Sequence, residues 1–489
     1  MSKKKFQKFS ILFATILTLS ILGFTSSVNF STSNFELNNE NDALKMSTTY
    51  LDIEINALAT TNTSTSGNWT WAKDIGICTG LGTSASPYII QSHIFDNGGA
   101  FDDCLRILNS RVDFIIRNCI LRNSDSLDSG LYLNNVTNGQ IINNDIYNCL
   151  RGIEFITVNN TEINGNHIYG NSEGVRTSNS HHNTISNNNV SSNTNHGIYI
   201  TSSTFNTISN NLANDMENLN GITLTSNSDN NIISGNKANL NGQNGIDIGS
   251  CDEVTLDHNT VYKNADNGIM ADGLINFLCT SNIAYENLQN GIILDNTDDS
   301  NIENNNVHDN LMNGIALISG STQNVIKLNI IKYNNWSGIL LDSGCNNNVL
   351  MGNTVEQNEE HGIFLTGSNN NALTENTVNN NKENGIHLDS SNGNAIILNT
   401  ANNNNHGTFL DGSNNNKIIN NIFIGNLVCY NETGSTGNIF EGNICAPSSG
   451  LSINLGIVSV ILLVFVIIES VAIGAIAAWF YLKKRKPKT

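Results

Sequence analysis

The chain has 489 residues, enough for two or three ordinary domains. With 13% charged residues, 3 prolines, 40 glycines and a large excess of asparagine, however, it is poorly suited to a helical globule. The formal net charge is −19, and nine of the 23 basic residues lie at the two ends. The body is therefore acidic with no basic stripe, which argues against a nucleic-acid partner, because phosphate must be neutralised by cations.

In chain order, residues 1–27 have a Lys-rich start, an apolar run from Ile11 to Phe24 and small residues at Thr25–Ser27. That order suits a signal peptide or, because the A-x-A cleavage site is missing, an uncleaved signal anchor. Residues 28–68 are rich in Ser, Thr and Asn and read as a linker or a loosely docked arm. Trp69 and Trp71 open the ordered part, and an aromatic segment here is expected to cap the exposed end of the repeat region.

Residues 69–445 repeat. A glycine followed by apolar-x-apolar returns every 22 to 24 residues from Gly130 to Gly407, for example at Gly268, Gly291, Gly314 and Gly338. A second marker is an asparagine column: Asn118, Asn144, Asn166, Asn188, Asn211, Asn236, Asn259, Asn282, Asn305, Asn329, Asn353, Asn376, Asn399, Asn421 and Asn443. Five residues on runs a second column, from Asn123 through Asn426, interrupted by Cys149, Met216 and Ser448. Coils stacked at about 4.8 Å let one side-chain amide donate to the next, so a buried column of Asn satisfies itself. Asn also tolerates the left-handed turns that short strands need.

The strands implied are too short for helices, the L-x-x-L-x-L run of leucine-rich repeats is missing, and propeller blades are about twice this period. The expectation is an all-β, single-stranded right-handed parallel β-helix of about 15 coils, one per column asparagine. The N-x-x-x-x-N-x-x-G-I-x-L texture, as in Asn305–Leu317 and Asn376–Leu388, resembles the repeats of the NosD-like family of right-handed β-helices. The segment Gly82-Thr83 … Pro87-Tyr88-Ile89-Ile90 looks like the entry segment of such proteins. The family sits in the wider carbohydrate-binding and sugar-hydrolase β-helix group with the pectin-lyase-like fold. The resemblance specifies the fold; the architecture hosts many chemistries.

Residues 446–454 form a short connector, and 455–482 give a largely apolar run long enough to span a bilayer as a transmembrane helix. The basic tail 483–489 then falls on the cytoplasmic side, which places the β-helix outside the cell membrane on a single-pass anchor. Glu469 lies mid-span, with Ser470, Gly474 and Ala478 as a small-residue face suited to a second membrane helix.

The candidate chemistry lies on outward positions two and four after each repeat glycine. Asp389 and Asp411, in adjacent coils with His387 on the same face, are the candidate catalytic group. Asp272 and Asp295, with Asp247 one coil below, are the candidate ligand- or cation-binding group. Paired carboxylates suit retaining glycoside hydrolysis or Ca2+ coordination. The plainer alternative is that they solubilise the strand-to-turn junctions. No lysine or arginine is expected in the same column as a lyase base, and aromatic platforms are limited to the spaced Phe364 and Phe409.

The family name suggests copper. His361 and His406 are two coils apart, however, too far for one ion, so no metal site and no cofactor is assigned, with Ca2+ the one cation the outward Asp pairs would suit. Cys251 and Cys345 lie four coils apart and cannot bridge. Cys78, Cys104 and Cys119, and separately Cys429 and Cys445, are the plausible local pairs. The reading these features support is a cell-surface binding or structural module for glycans or envelope components. The alternative is a polysaccharide-active enzyme.

Overall fold

The computed structural model describes residues 49–446 and Ser448. Three short strands per coil arise from one apolar-x-apolar piece and two pieces centred on a single apolar residue, set between polar turn residues. In one coil they are Ile292–Asp295, Asn301–Glu303 and Asn306–His308. Alternation turns Ile292, Leu294, Ile302 and Val307 inward, and all four are fully buried. Each strand pairs in parallel with its counterpart in the next coil, as Ile292 does with Ile315 and Asn301 with Val325.

The coils thus stack into three parallel sheets around one apolar core. The first sheet, which opens at the marker glycine, has 17 strands and the second has 16. The third falls into pieces of six, seven and two strands. Single bridges through Leu212 and Thr400 carry its pairing across the gaps. The count is therefore about sixteen coils, one more than the asparagine column suggests.

Residues 49–67, inside the stretch read as a linker or loosely docked arm, supply the first rungs. Thr49–Tyr50 pairs with Ile94–Phe95, and Ile53–Asn56 pairs with Leu105–Leu108. A short helix, α1 (Trp69–Asp74), comes next, with Asn68 accepting from the Trp71 N–H as its N-cap. Trp69 and Trp71 are both buried, and Trp69 stacks on Tyr88 at 4.7 Å. The aromatic segment thus closes onto the first coils, as its composition suggests.

The Asn column is a continuous hydrogen-bonded ladder. Asn282 shows the pattern: its Oδ1 accepts from the backbone N–H and the Nδ2 of Asn259, at 2.8 and 3.0 Å. Its own Nδ2 donates to Asn305 Oδ1 at 3.1 Å and to the Leu256 carbonyl at 3.1 Å. Two details differ from the sequence expectation. Register places Cys119, not Asn118, below Asn144, since the Cys119 N–H donates to Asn144 Oδ1. In the second column the same shift puts Ser124, rather than Asn123, below Cys149.

Asn118 and Asn123 instead occupy left-handed turn positions, with φ of 52° and 60°. Along the column, the left-handed residue precedes the ladder asparagine: Asn304 before Asn305, Asn420 before Asn421, and even Leu328 before Asn329 and Leu398 before Asn399. The ladder asparagine is kept for its amide, and turn tolerance belongs to its neighbour.

The marker glycines serve close approach rather than a special φ. A Cβ on Gly338 would lie 2.2 Å from Val355 Cγ1, 2.7 Å from Asn358 Nδ2 and 2.8 Å from the Gly362 carbonyl. The third sheet and the second ladder press directly onto that backbone.

Cys429 and Cys445 are joined in a disulfide, as their positions suggest. Cys78, Cys104 and Cys119 are free, buried thiols and form no pair among themselves. Cys104 faces Cys149 instead. The export segment 1–27, the membrane segment 455–482 with Glu469, Ser470, Gly474 and Ala478, and the tail 483–489 lie outside the described residues. Among the described residues no helix is long and apolar enough to cross a membrane.

Candidate functional site: the outer face of the first sheet

The middle residue of every apolar-x-apolar piece in the first sheet points out, and parallel register stacks these residues into one row. From the N-terminal end it reads Glu54, Arg106, Tyr132, Glu154, Arg176, Tyr199, Thr223 and Asp247. It continues through Met270, Ile293, Ala316, Leu340, Phe364, His387, Phe409 and Asn431.

Four residues of the row are covered by their neighbours although they point away from the core: Glu154 is 9% exposed, Thr223 5%, Ile293 8% and Ala316 1%. The others are half-buried, except Asn431, which is exposed. On one side lies the residue just before each marker glycine, which from Asn244 to Asn313 forms a further amide ladder. Asn267 donates to Asn244 Oδ1 at 3.1 Å, Asn290 to Asn267 and Asn313 to Asn290, each at 3.0 Å. The other side is the column four after the glycine, which carries the aspartates.

The N-terminal half of this face is a connected polar network. Arg106 pairs with Asp102 at 2.7 Å and Asp103 at 3.3 Å. Asp103 accepts from the Ser129 N–H, and the Ser129 hydroxyl donates to Glu154 at 2.9 Å. Arg151 bridges Glu154 and Glu173, both at 3.1 Å, and Arg176 holds Glu173 at 3.1 Å. The Arg176 guanidinium lies 5.0 Å over the Tyr199 ring, and His196 stacks on Tyr199 at 4.8 Å. His196 Nδ1 lies 3.0 Å from Thr223 Oγ1. Asn220 donates to Thr223 and, at 2.9 Å, to Asp247, which Asn244 also approaches at 3.4 Å.

Two carboxyls here are perturbed. Burial pushes Asp103 up to about 6 against the pull of the Ser129 N–H and Arg106. Burial and then the charge of Asp272 push Asp247 up to about 6.

This half contains residues that sequence reasoning missed. Arg106 and Arg176 do lie in the outward row, contrary to the expectation of no basic residue there, and Tyr132 and Tyr199 lie beside them. Their signal was present in the middle positions of Leu105-Arg-Ile, Leu131-Tyr-Leu, Val175-Arg-Thr and Ile198-Tyr-Ile. Thr177 replaces the second apolar residue after Arg176, and Cys104 stands where the marker glycine of the Arg106 coil should be.

The structure brings the expected site residues together only in part. Asp389 and Asp411 are register partners, and His387 lies one row over, beside Phe364 and Phe409. Asp272 and Asp295 are register partners, with Asp247 in the outward row one coil below. Phe364, His387 and Phe409 are not merely spaced: His387 stacks on Phe364 at 4.9 Å and lies tilted against Phe409 at 5.1 Å, and His406 stacks on Phe409 at 5.1 Å.

The histidines place two ring nitrogens close together after all, His361 Nε2 and His387 Nδ1 at 3.1 Å. The Asn384 backbone N–H donates into His361 Nδ1 at 3.3 Å, which puts the His361 proton on Nε2, toward Glu383 Oε2 at 3.2 Å. A ligating imidazole needs the opposite arrangement, its free nitrogen on the metal and its N–H on an acceptor. Burial lowers both histidines to about 4, so the pair is neutral and bonded to itself. Among the described residues no group of three or more His, Cys, Asp or Glu side chains converges to hold a metal ion. The donor set therefore does not fit copper. Each Asp pair alone also falls short of the six to eight oxygens that Ca2+ takes.

Fold and face together define a parallel β-helix, knit by amide ladders, with one elaborated outer sheet. The chain belongs to the family described as periplasmic copper-binding protein (NosD), whose model matches residues 109–282, 213–335 and 280–446 and so runs unbroken from 109 to 446. No curated protein matches the sequence. Solved structures of similar fold include the A-module of mannuronan C-5 epimerase AlgE6 from Azotobacter vinelandii, at 15% identity and TM-score 0.46, covering 77% of this chain and 99% of that one. The periplasmic alginate epimerase AlgG is similar at 16% identity and TM-score 0.38, over 78% and 89% of the two chains. The tailspike of E. coli bacteriophage HK620, solved with a pentasaccharide, is similar at 7% and TM-score 0.43, over 72% and 73%.

Proposed function

We propose that this protein is an extracytoplasmic, membrane-anchored glycan-binding module that lays an extended polysaccharide along the outer face of the first sheet and does not cleave it. The observation that carries this is the continuous outward row itself. Over its length it offers arginine, tyrosine, carboxyl, threonine and amide groups in a connected network, then an apolar stretch, then stacked aromatic rings. Hydroxyl-rich chains with one apolar ring face need that mixture of polar groups and flat surfaces. Asp247, Asp272 and Asp295 are the proposed contacts at the centre. The apolar segment 455–482 is the proposed anchor, and the export segment and the family's periplasmic description support the same side of the membrane.

The rival is hydrolysis by Asp389 and Asp411 with His387. Against it, both His387 nitrogens are engaged or enclosed. Nδ1 meets His361, and Nε2 is buried without a partner, so neither reaches a substrate as a base.

The test is titration of the full-length chain in non-ionic detergent with a panel of neutral, amino-bearing and acidic polysaccharides, read by calorimetry and by product analysis. Binding without new reducing ends, weakened about tenfold by Tyr199→Ala, supports the reading; loss of one well-packed aromatic contact is worth that much. Turnover abolished by Asp389→Asn would overturn it, and so would a panel with no binder.

A further inference from the structure

The two ends of the solenoid differ. At the N-terminal end α1 buries Trp69 and Trp71 against the first rungs. At the other end the last coil consists of the strands Val428–Thr433, Ile439–Glu441 and Ile444–Ala446. Each pairs with the coil before it, and among the described residues nothing pairs with their outer edges. Register sets Tyr430 on buried Thr408 and Phe440 on buried Ile418, so both rings belong to the core. They stack on each other at 4.6 Å, yet Tyr430 is 43% exposed. The disulfide Cys429–Cys445 ties the first strand of this coil to the third. An apolar floor with open strand edges needs a cover.

The repeat itself supplies one. Ile424 pairs with Ala446, which puts Ser448 in the place of Asn426 two residues on. The Ser448 N–H donates to the Asn426 carbonyl at 2.8 Å, so the chain still follows the coil there. After the second-column residues Asn241, Asn264, Asn287 and Asn310, the marker glycine comes four residues later. Four after Ser448 is Ser452, and Ser452-Ile453-Asn454-Leu455 repeats the small residue and Ile-x-Leu of Gly314–Leu317 and Gly385–Leu388. The marker is glycine where the third sheet and the next coil crowd its Cβ, as at Gly338. Where neither follows, serine fits. The repeat then stops, because the ladder position 22 to 24 residues after Asn443 falls on Phe465-Val466-Ile467. The sequence thus holds the first strand of one further coil and no more.

We infer that residues 452–455 close the open end as a short parallel strand on Val428–Thr433, with Ile453 over Tyr430 and Leu455 over Glu432. This is strand addition within one chain. The Glu432 carboxylate accepts from Asn438 Nδ2 at 2.9 Å, so its charge keeps a partner under that cover. The added strand offers carbonyls to the Tyr430 and Glu432 N–H groups, from Ser452 and Asn454. That is the pattern in which the Ile292 N–H donates to the Gly314 carbonyl. A strand this short is itself a blunt edge. Residues 456–482 remain for the anchor, more than the roughly 20 that a span needs.

Gly407 and Cys429 follow their column asparagines by three residues instead of four. On that spacing Ser452 and Asn454 would face inward and Ile453 outward. The four-residue spacing turns the apolar pair onto the apolar floor.

The test is residue-resolved amide exchange on the full-length chain in non-ionic detergent, at two chain concentrations. Tyr430 and Glu432 are expected to exchange about a hundredfold more slowly than open-edge amides, equally at both concentrations. Ile453→Asp is expected to abolish that protection and Asn454→Asp to leave it, with the Ile339 amide in mid-solenoid reporting that each variant folds. Fast exchange at Tyr430 and Glu432 in the unaltered chain overturns the inference. Protection that grows with concentration also overturns it and assigns the edge to a second copy. Protection kept in Ile453→Asp, or lost in Asn454→Asp, overturns the register. Should Ile453→Asp fail to fold, the unaltered chain and Asn454→Asp still decide.

Discussion

Replacing Asn282 with alanine removes one rung from the middle of the main ladder. The backbone N–H of Asn259, which donates to Asn282 Oδ1 at 2.8 Å, is left buried with nothing to bond. The Asn259 amide loses its cross-coil acceptor at 3.0 Å, and the Leu256 carbonyl loses the donor at 3.1 Å. One fully orphaned donor, two partly orphaned groups and a cavity of a few atoms sum to about 4 kcal/mol.

Asn282→Asp is expected to be worse than alanine near neutral pH. It keeps one acceptor but turns a second oxygen toward the Leu256 and Thr280 carbonyls and Asn305 Oδ1, all of them acceptors within 3.1 Å of the present Nδ2. Asn335→Ala, at an exposed asparagine one ladder away, is the control and should stay within about 0.5 kcal/mol. Urea unfolding of the full-length chain gives the global change, and amide exchange at Asn259 gives the local one, which matters because a solenoid can open coil by coil. A change below about 1 kcal/mol together with undiminished protection at Asn259 would refute the ladder as a stabilising device.

Three more outcomes are expected from the packing and the charges. Asp247 is pushed up to about 6 from 3.8, so it binds a proton more tightly folded than unfolded. Its stability contribution is therefore intact below 3.8 and is lost as pH rises through about 6. Asp247→Asn should raise stability near neutral pH by up to about 3 kcal/mol and make no difference in acid, measured by unfolding at both pH values. Gly338→Ala puts a methyl into Val355 and the Gly362 carbonyl and should cost about 2 kcal/mol or more, whereas an alanine at Gly98, where a Cβ meets nothing within 4 Å, meets only its φ of 60°. Cys429→Ser opens a disulfide of sequence separation 16, an expected loss of about 3 kcal/mol concentrated in the last coil. Thiol titration of the unaltered, denatured and unreduced chain should then count the seven cysteines that are free.

The periodic part of the fold was legible in the sequence because each coil must solve the same problem at the same place. Gly314 and Gly338 meet the same kinds of neighbour, and Asn305 and Asn329 make the same ladder bonds, so selection for packing writes one letter repeatedly. Legibility failed where a coil departs from the common length. Asn118 and Asn144 are 26 apart, and the true register partner, Cys119, is one residue along. Only the strand pairing reveals that shift, since a one-residue slip in a strand changes the face of every side chain.

The candidate site was half legible for a related reason. Asp272, Asp295, Asp389 and Asp411 stand out because aspartate recurs in one column. Arg106, Tyr132, Arg176 and Tyr199 alternate with other residue types, so no column of like residues announces them. The contact between His361 and His387 joins two columns across one coil, a diagonal that comparison down a single column does not show.

The central claim is that the outward row of the first sheet, with the aspartate column beside it, is the surface this protein presents to its ligand. Carbodiimide labelling of carboxyl groups, read by mass spectrometry with and without a bound polysaccharide that carries neither amine nor carboxyl groups, tests it most directly. The account predicts protection of Asp247, Asp272 and Asp295 and unchanged labelling of Asp257 on the second sheet and Asp309 on the turn after the third. Protection of Asp257 or Asp309, with the three first-sheet aspartates labelled as before, would contradict it.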